Sequence, residues 1–262
     1  MNTESDDAPP VTLERPAPHV ALIRLNRPAA HNAINAAMAA AIEAHVATVE
    51  ADPQLRVGIV AAAGPTFCAG ADLKEVAAGR AQLLARPETG FAGFVYARKT
   101  KPWIAAVQGA AFGGGFEIAL ACDMVVAGEA ARFGLPEVCR GLIAGAGGVY
   151  RVARALPRAL ALELVTTGAP IGARRAYEAG LVNAVVPTEA VVDEALRLAG
   201  LISANSPLSV RESLAVTRAA VDGDEAALRQ RQDAAIARVL AGPDMIEGAT
   251  AFVEKRAPQW RS

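Results

Sequence analysis

Cysteine is scarce in this chain, and the few present are not spaced for a metal site. The 262 residues include three cysteines, Cys68, Cys122 and Cys139, an odd number without the close pairs of thiolate metal ligands. The pattern argues against a disulfide framework and a thiolate zinc site. It predicts free thiols in a reducing compartment, with no nucleophilic role for them.

The chain also lacks an excess of either charge and a long apolar run. Its formal net charge is −1 and lysine is scarce, so we expect neither nucleic acid nor a membrane surface as a partner. No apolar stretch approaches the roughly 20 residues of a membrane span without charges or several glycines. Residues 1–10 are acidic and polar, without the apolar core of a signal peptide. We therefore expect a cytoplasmic protein in which residues 1–12 form a disordered leader.

Nucleotide and metal signatures are missing as well. The glycine-rich segment 109–115 has neither the spacing of a dinucleotide fingerprint nor the Gly-Lys-Ser/Thr of a P-loop. The three histidines, His19, His31 and His45, have no nucleophile or metal-ligand pattern around them. We expect no metal and no separate cofactor.

Two carboxylates are present where folding alone would favour an apolar residue. Glu117 follows three consecutive glycines and a phenylalanine, and Glu137 ends the segment Phe-Gly-Leu-Pro-Glu. An unpaired charge is costly to bury in such surroundings. Two acids in one apolar pocket can act as general acid and general base, since their environments can separate their pKa values. The alternative is two helix-terminal carboxylates satisfied by backbone N–H groups.

Each of two loops joins a predicted strand to a predicted helix start. Residues 104–107 are a short apolar strand, 109–115 the glycine loop and 116–121 a run of good helix formers. Unpaired N–H groups at such a helix start can stabilise an oxyanion. Upstream, residues 55–61 form a strand and 62–72 a small-residue loop, in which an N–H near Ala71 could face the same pocket. The alternative there is an ordinary connection with Asp72 as the helix N-cap.

Several motifs together resemble the enoyl-CoA hydratase/isomerase (crotonase) superfamily. They occur in that family's order and spacing, and the resemblance runs from about Val20 to the C-terminus. The segments that carry it are 25–28, 67–73, 101–109, 113–117, 133–137 and 141–148.

The resemblance implies a set of roles. The thioester carbonyl would lie between the N–H groups of Ala71 and Gly114, which would stabilise the enolate. Glu117 would be the base for water and Glu137 would deliver the Cα proton, with Gly145 helping to position the water. Coenzyme A would belong to the acyl-CoA thioester substrate and would not be a separate cofactor. The CoA and substrate contacts implied are Ala69, Asp72, Leu73, Gly113, Phe252 and Lys255.

Because both acids are present, hydration of a 2-trans-enoyl-CoA is favoured over isomerisation, since simple isomerases of the family normally keep only the second acid. Residues 52–57, 113–117 and the C-terminal tail are also similar to carnitinyl-CoA dehydratase, which remains an alternative. A non-catalytic acyl-CoA-binding protein of the same fold is a further one. Two departures from the family pattern are Ala144, where proline is usual, and the segment 29–31, which lacks the family's lysine.

The resemblance implies an α/β fold with a spiral of ββα units. We expect this crotonase-like core over residues 13–200 and an all-helical trimerisation segment over 201–262, with helices at about 208–221, 224–240 and 244–255. The assembly implied is a homotrimer or a hexamer of two trimers. Apolar residues at helical spacing from Ile34 to Val49 predict one buried helix face. Arg151, Arg154 and Arg158 are interpreted as a solvated helix face, with contact to CoA phosphates as the alternative.

Overall fold

A computed structural model describes residues 8–262, in which short strands alternate with helices. The strands are β1 (Val11–Ala17), β2 (Val20–Leu25), β3 (Val57–Ala62), β4 (Thr66–Cys68), β5 (Ala85–Arg86), β6 (Gly90–Phe91), β7 (Trp103–Val107), β8 (Ala110–Phe112), β9 (Met124–Gly128), β10 (Arg132–Gly134), β11 (Ile171–Gly172) and β12 (Ala184–Val186). The α-helices are α1 (Ala36–Ala51), α2 (Leu73–Ala77), α3 (Gly114–Leu120), α4 (Gly148–Ala155), α5 (Arg158–Thr167), α6 (Ala173–Glu178), α7 (Val191–Ser203), α8 (Pro207–Ala219), α9 (Glu225–Ala241) and α10 (Asp244–Glu254). Among these residues, no helix is long and apolar enough to cross a membrane.

The strands form two main sheets and a small ribbon. The larger sheet has six strands in the order β1-β2-β3-β7-β9-β12, parallel except for the β1–β2 hairpin. The second sheet has four strands in the order β11-β10-β8-β4, with only β10 and β11 antiparallel. Strands β5 and β6 pair with each other alone.

Successive strands enter the two sheets in turn. β3 and β4 precede α2, β7 and β8 precede α3, and β9 and β10 precede a short 3-10 helix, Pro136–Arg140. In each pair the first strand joins the larger sheet and the second joins the smaller one. These repeats are the ββα units that the family resemblance implies, with a 3-10 helix as the helical part of the third.

The core forms on both faces of the larger sheet. In β7, Ile104 and Ala106 pack in a cluster with α7, whereas Trp103, Ala105 and Val107 belong to the main core between the sheets. This alternation follows from the two-residue period of a strand. The predicted apolar face of α1 is also buried in the main core.

The predicted boundaries differ from the structure at two places. Val11 and Thr12, assigned to the disordered leader, begin β1, and residues 1–7 of that leader lie outside the described residues. At the other end of the core, α7 packs on the larger sheet through Val191, Ala195 and Ala199, so the core extends to Ser203 and not 200. Three helices follow, α8 to α10, close to the predicted bounds.

Candidate active site

Three parallel strands of the smaller sheet end at one edge, and each is followed by a predicted site segment. β8 lies between β4 and β10, with Ala111 opposite both Cys68 and Phe133. Carboxyl ends of parallel strands meet at the same edge of a sheet. The loop before α2, the start of α3 and the 3-10 helix that contains Glu137 are therefore neighbours.

The N–H of Ala71 takes no part in the backbone hydrogen bonds that hold its own loop. Ile34 donates to Gly70 O at 2.8 Å and accepts from Asp72 N at 2.9 Å, which makes a parallel bridge with Ala71. In such a bridge the central residue directs its own N–H and C=O to the other side. Within residues 8–262, no acceptor is recorded for the Ala71 N–H.

Gly114 supplies a second free donor at the first position of α3. The first N–H groups of a helix have no partner within it, and none is recorded for Gly114 in the described chain. A β-carbon placed on Gly70 would lie 3.1 Å from Gly114 N, so the Ala71 loop touches this helix start. Two free N–H groups on such neighbouring segments can together stabilise one developing oxyanion.

Gly113 and Gly114 have no side chain because neighbouring groups occupy that space. Gly113 has φ 54° and ψ −126°, a conformation open essentially to glycine. A β-carbon there would lie 3.0 Å from Glu137 Oε1, and one on Gly114 would lie 2.4 Å from the Phe91 ring. The glycine run thus lets Glu137 and Phe91 pack directly against the helix start.

Glu117 lies on α3 and is only 3% exposed. Its Oε1 accepts a 2.8 Å hydrogen bond from the N–H of Gly148, the first residue of α4. Burial raises the pKa of Glu117, the Gly148 N–H opposes that rise, and the nearby Glu137 raises it further. The carboxylate is therefore oriented by a backbone donor and is a stronger base than an exposed glutamate.

Glu137 lies in the 3-10 helix Pro136–Arg140, with less support from donors. Its Oε2 is buried and has no hydrogen-bond partner among the described residues. Burial raises its pKa, and its own backbone N–H and Arg140 counter the rise only in part. A buried carboxyl oxygen without a partner is unfavourable for folding, and is typical of a group that exchanges a proton with a ligand.

The other residues predicted to contact substrate, CoA or water in this region are Ala69, Asp72, Leu73 and Gly145. Asp72 is the N-cap of α2, accepts from Lys74 N at 3.0 Å and pairs with Arg27 at 3.3 Å, so its carboxylate is already satisfied. Ala69 donates to His31 O, and Leu73 begins α2 with an exposed side chain. Gly145 is exposed, and its expected part in positioning the water stays a prediction.

The C-terminal candidates lie on another element. Phe252 is 86% exposed on α10, and Lys255 follows at the left-handed end of that helix. α10 packs against α9. Neither residue is brought to the two glutamates by any contact recorded within the described chain.

Sequence reasoning missed two features next to Glu117. Gly148, the first residue of α4, orients the carboxylate, and the glycines around it indicate a helix start without indicating which side chain that start meets. Arg151 is not on a solvated face, because its guanidinium contacts the rings of Tyr96 and Tyr150, at 5.2 and 5.3 Å from their centroids, and donates to two backbone carbonyls. Tyr96 comes from a segment whose sequence gave no sign of this contact.

Two sheets linked by ββα units, with this pair of acids and backbone donors at the strand ends, define an α/β protein of the crotonase type. The comparisons identify the family. A family model described as enoyl-CoA hydratase/isomerase matches residues 16–262. The crystal structure of an enoyl-CoA hydratase from Mycobacterium tuberculosis has a TM-score of 0.93 and 38% identity, and the match covers 97% of this chain and 99% of that one.

Relatives of known name have related activities. A mevalonyl-coenzyme A hydratase from Beauveria bassiana is 44% identical over an alignment of 263 positions. The alignment covers 94% of this chain and 92% of that protein. A carnitinyl-CoA dehydratase from Proteus mirabilis is 39% identical over 245 residues, or 91% and 94% of the two chains. The chain belongs to the enoyl-CoA hydratase/isomerase family, which confirms the resemblance and the crotonase-like fold. It is an enzyme of the hydratase or lyase type, for which an acyl-CoA substrate is expected.

Proposed function

We propose that this protein is an enoyl-CoA hydratase that adds water to a 2-trans-enoyl-CoA. The thioester oxygen accepts hydrogen bonds from Ala71 N–H and Gly114 N–H. Glu117 takes a proton from water, whose oxygen bonds to Cβ while the Cα–Cβ π electrons move onto the thioester as an enolate. Glu137, protonated beforehand, gives its proton to Cα, and the enolate returns to a thioester. Before the next turnover Glu117 releases the proton it took from water and Glu137 takes one up, so no net proton is gained or lost. Both carboxyl groups lie on one side of the substrate, so the addition is syn.

The observation that supports this proposal most is the pairing of two acids with two free donors. Glu117 has an orienting N–H, whereas Glu137 Oε2 has none, and burial raises the pKa of both. A protein that only binds acyl-CoA has no use for two desolvated carboxyl groups. A pure isomerase needs a single acid to move a proton, which leaves Glu117 without a task.

Absorbance provides the first test. Hydration of crotonyl-CoA removes its conjugated enone, so absorbance should fall on addition of the enzyme. Binding of crotonyl-CoA without any loss of absorbance would favour the non-catalytic alternative. Conversion of a 3-enoyl-CoA without hydration of its 2-enoyl isomer would favour isomerisation.

A second candidate is reversible dehydration of a more functionalised acyl-CoA. Its support is the identity to relatives named mevalonyl-coenzyme A hydratase and carnitinyl-CoA dehydratase. The chemistry at Glu117 and Glu137 is the same, and only the groups on the acyl chain differ. Comparison of kcat/KM for 2-enoyl-CoAs of increasing length, crotonobetainyl-CoA and the dehydration product of mevalonyl-CoA distinguishes the two candidates.

We also propose that the enzyme works as a homotrimer, or as a hexamer of two trimers. In this proposal α8 to α10 form contacts between subunits. Phe252 and Lys255 then lie near the adenine and 3′-phosphate of CoA bound to a neighbouring subunit. Support comes from the exposure of Phe252 and of other apolar residues on α9 and α10. Light scattering tests the assembly.

A further inference from the structure

The backbone donors that face Glu117 lie in a turn that has no polar side chain of its own. Residues 144–148 are alanine and glycine alone, and Gly147, the N-cap of α4, has φ 93° and supplies no side-chain cap. Gly148 N–H donates to Glu117 Oε1 at 2.8 Å, and the Ala146 N–H is a second backbone donor that faces this carboxylate. Glycine has more backbone freedom than any other residue. The turn therefore needs support from outside to keep its donors directed at Glu117.

Arg151 supplies this support, because its side chain folds back over the turn. Its backbone N–H donates to Gly147 O at 3.0 Å, and its Nη1 donates to Ala146 O at 2.9 Å. Its Nη2 donates to Val95 O at 2.7 Å, in the segment between β6 and β7. The planar guanidinium holds its donors in a fixed fork, which an ammonium group lacks. One side chain thus ties the turn 144–148 to a second segment of the chain.

The guanidinium occupies space that exists only because Gly147 has no side chain. A β-carbon on Gly147 would lie 2.6 Å from Arg151 Nη1 and 2.6 Å from the hydroxyl of Tyr150. The rings of Tyr96 and Tyr150 also contact the guanidinium, and such cation–π contacts favour its position over the rings. Arg151 is therefore held by two carbonyl oxygens and two aromatic rings, which makes it a rigid brace for the turn.

Arg151 also acts on Glu117 through its charge. Burial raises the pKa of Glu117 and Glu137 raises it further, whereas Arg151 is the one charged side chain of the described residues that lowers it. Tyr96 faces Glu117 from the segment before β7, but burial raises the pKa of its phenol. Cys68 lies on β4, which packs against α3, and burial raises the pKa of its thiol to about 12. Both groups are thus neutral at pH 7, and Arg151 is the counter-charge of Glu117.

We propose that Arg151 is a positioning residue for Glu117 in hydration. It braces the turn 144–148, so that the backbone donors of this turn keep the carboxylate directed at the water, and its charge favours the ionised form that accepts a proton. This inference rests on the proposed hydratase function. An arginine that served the fold alone would need the two carbonyl contacts, but its loss would leave the protonation of Glu117 unchanged.

The first test is the pH dependence of crotonyl-CoA hydration in two variants of Arg151. Arg151→Gln should lower kcat roughly 10–100-fold, as a displacement of about 1 Å can do, with little change in KM. The acid limb of its kcat/KM profile, which reports the lower apparent pKa of the glutamate pair in the free enzyme, should move to higher pH. Arg151→Lys keeps the charge but not the fork. Its acid limb should stay near that of the wild type, while kcat recovers only in part.

Arg154→Gln is the matched control, because Arg154 lies on the same helix and contacts the same Tyr150 ring, at 5.0 Å, but pairs with Asp222 at 2.9 Å. It should keep both kcat and the acid limb. Wild-type values of both in Arg151→Gln would overturn the proposal. Equal losses of kcat in the two Arg151 variants with an unmoved acid limb would also overturn it, since Arg151 would then serve the fold alone. Full kcat in Arg151→Lys would contradict the brace, and this result counts even if circular dichroism shows that Arg151→Gln does not fold.

Infrared spectroscopy of the free protein separates this inference from the hydratase proposal, because it needs no turnover. The band of a protonated carboxyl group that is missing in Glu117→Gln identifies Glu117. As pH rises, this band should disappear at higher pH in Arg151→Gln than in wild type, Arg151→Lys or Arg154→Gln. If no 2-enoyl-CoA is hydrated but this difference holds, the hydratase proposal fails and the link between Arg151 and Glu117 stands. If the wild type hydrates crotonyl-CoA and the band titrates at the same pH in all four proteins, the inference is wrong and the hydratase proposal stands.

Discussion

At the residue scale, Glu117 and Glu137 combine an unfavourable position for folding with a useful one for proton transfer. We predict that Glu137→Gln lowers kcat by roughly 10²–10⁴-fold, the range for loss of a general acid, with little change in acyl-CoA binding. Glu117→Gln should do the same. Its amide oxygen can still accept from Gly148 N–H, so the loss would report proton transfer and not geometry. Steady-state hydration of the best substrate measures both.

The exposed residue Glu129 provides a matched control for the loss of one carboxylate. Glu129→Gln should keep the kcat of the wild type. Near wild-type hydration by either site variant would remove that residue from the mechanism.

The same two carboxyl groups should make stability depend on pH. Burial raises the pKa of each above its ordinary value of 4.5. As pH rises from 4.5 through the raised pKa values, the unfolded chain releases these protons first, so this contribution to stability is present in acid and is lost with rising pH. Relative to wild type, Glu117→Gln and Glu137→Gln should gain unfolding free energy over that window and then level off. Urea unfolding at a series of pH values measures the difference.

A difference between variant and wild type that stayed constant with pH would show that the carboxyl groups titrate alike in the folded and unfolded chains. Glu129→Gln again serves as the reference, because it changes an exposed side chain. Subtraction of its profile removes the contribution of net charge.

Some of these residues were predictable from sequence and others were not. Glu117 and Glu137 stand out because a charge beside glycines and apolar residues is unusual. Arg151 did not stand out in the sequence, because it contacts Tyr96, and the two residues meet only through tertiary packing. Gly148 was hidden for a related reason: its role depends on where Glu117 lies, and not on the sequence around Gly148.

At the element scale, the site depends on Gly113, which lets the 3-10 helix that contains Glu137 approach the start of α3. We predict that Gly113→Ala lowers kcat/KM by about 10²-fold, comparable to the loss of one oxyanion donor. Two reasons combine: φ 54° is strained for alanine, and its β-carbon would lie 3.0 Å from Glu137 Oε1. Hydration kinetics, with circular dichroism to check folding, measure the effect.

Gly180→Ala separates backbone strain from contact with the acid. Gly180 also has positive φ, at 85°, but a β-carbon there would meet nothing within 4 Å. It should reduce stability and leave kcat/KM unchanged. If both variants lost activity equally, displacement of Glu137 would not be the cause.

Single strands such as β3 and β7 and the C-terminal helices were predictable because their apolar runs have the strand or helix period. The arrangement of the strands in ββα units was implied by the family resemblance and not by the period. The segment that contains β5 and β6 was not predictable. Its strands have two residues each, too few for a period, and Phe91 reaches Gly114 only through tertiary packing.

At the scale of the whole molecule, the C-terminal helices are held to the chain but leave apolar side chains uncovered. Asp244 accepts from Ser206 Oγ at 2.7 Å and from Arg261 N, and the Trp260 indole donates to Ala204 O. On the outer side, Ile246, Phe252 and Val253 of α10 are all more exposed than buried. Removal of α10 would therefore disturb the subunit itself, so single substitutions on the outer side give a cleaner test of assembly.

We predict that Phe252→Ser weakens the proposed trimer and leaves subunit stability nearly unchanged. At 86% exposure the ring contributes little to the fold of its own chain, whereas burial in an interface would contribute about 1.5–3 kcal/mol per subunit. Light scattering over a range of protein concentrations should show dissociation at higher concentration than for wild type. Tyr177→Ser, at an exposed aromatic position on α6, is the control. An unchanged trimer would exclude Phe252 from the interface.

Lys255 gives the last prediction, because the proposed trimer and the proposed CoA contact meet there. If its ammonium pairs with the CoA 3′-phosphate on a neighbouring subunit, Lys255→Ala should raise KM for CoA esters several-fold at low salt. The effect should shrink as salt is added, since screening acts within about 10 Å at 0.1 M. kcat should change little, because this phosphate is remote from the reacting double bond. Pantetheine thioesters lack the phosphate and should be insensitive to the substitution. Equal KM values for CoA esters in wild type and Lys255→Ala, with the assembly intact by light scattering, would leave Lys255 as a solvated charge.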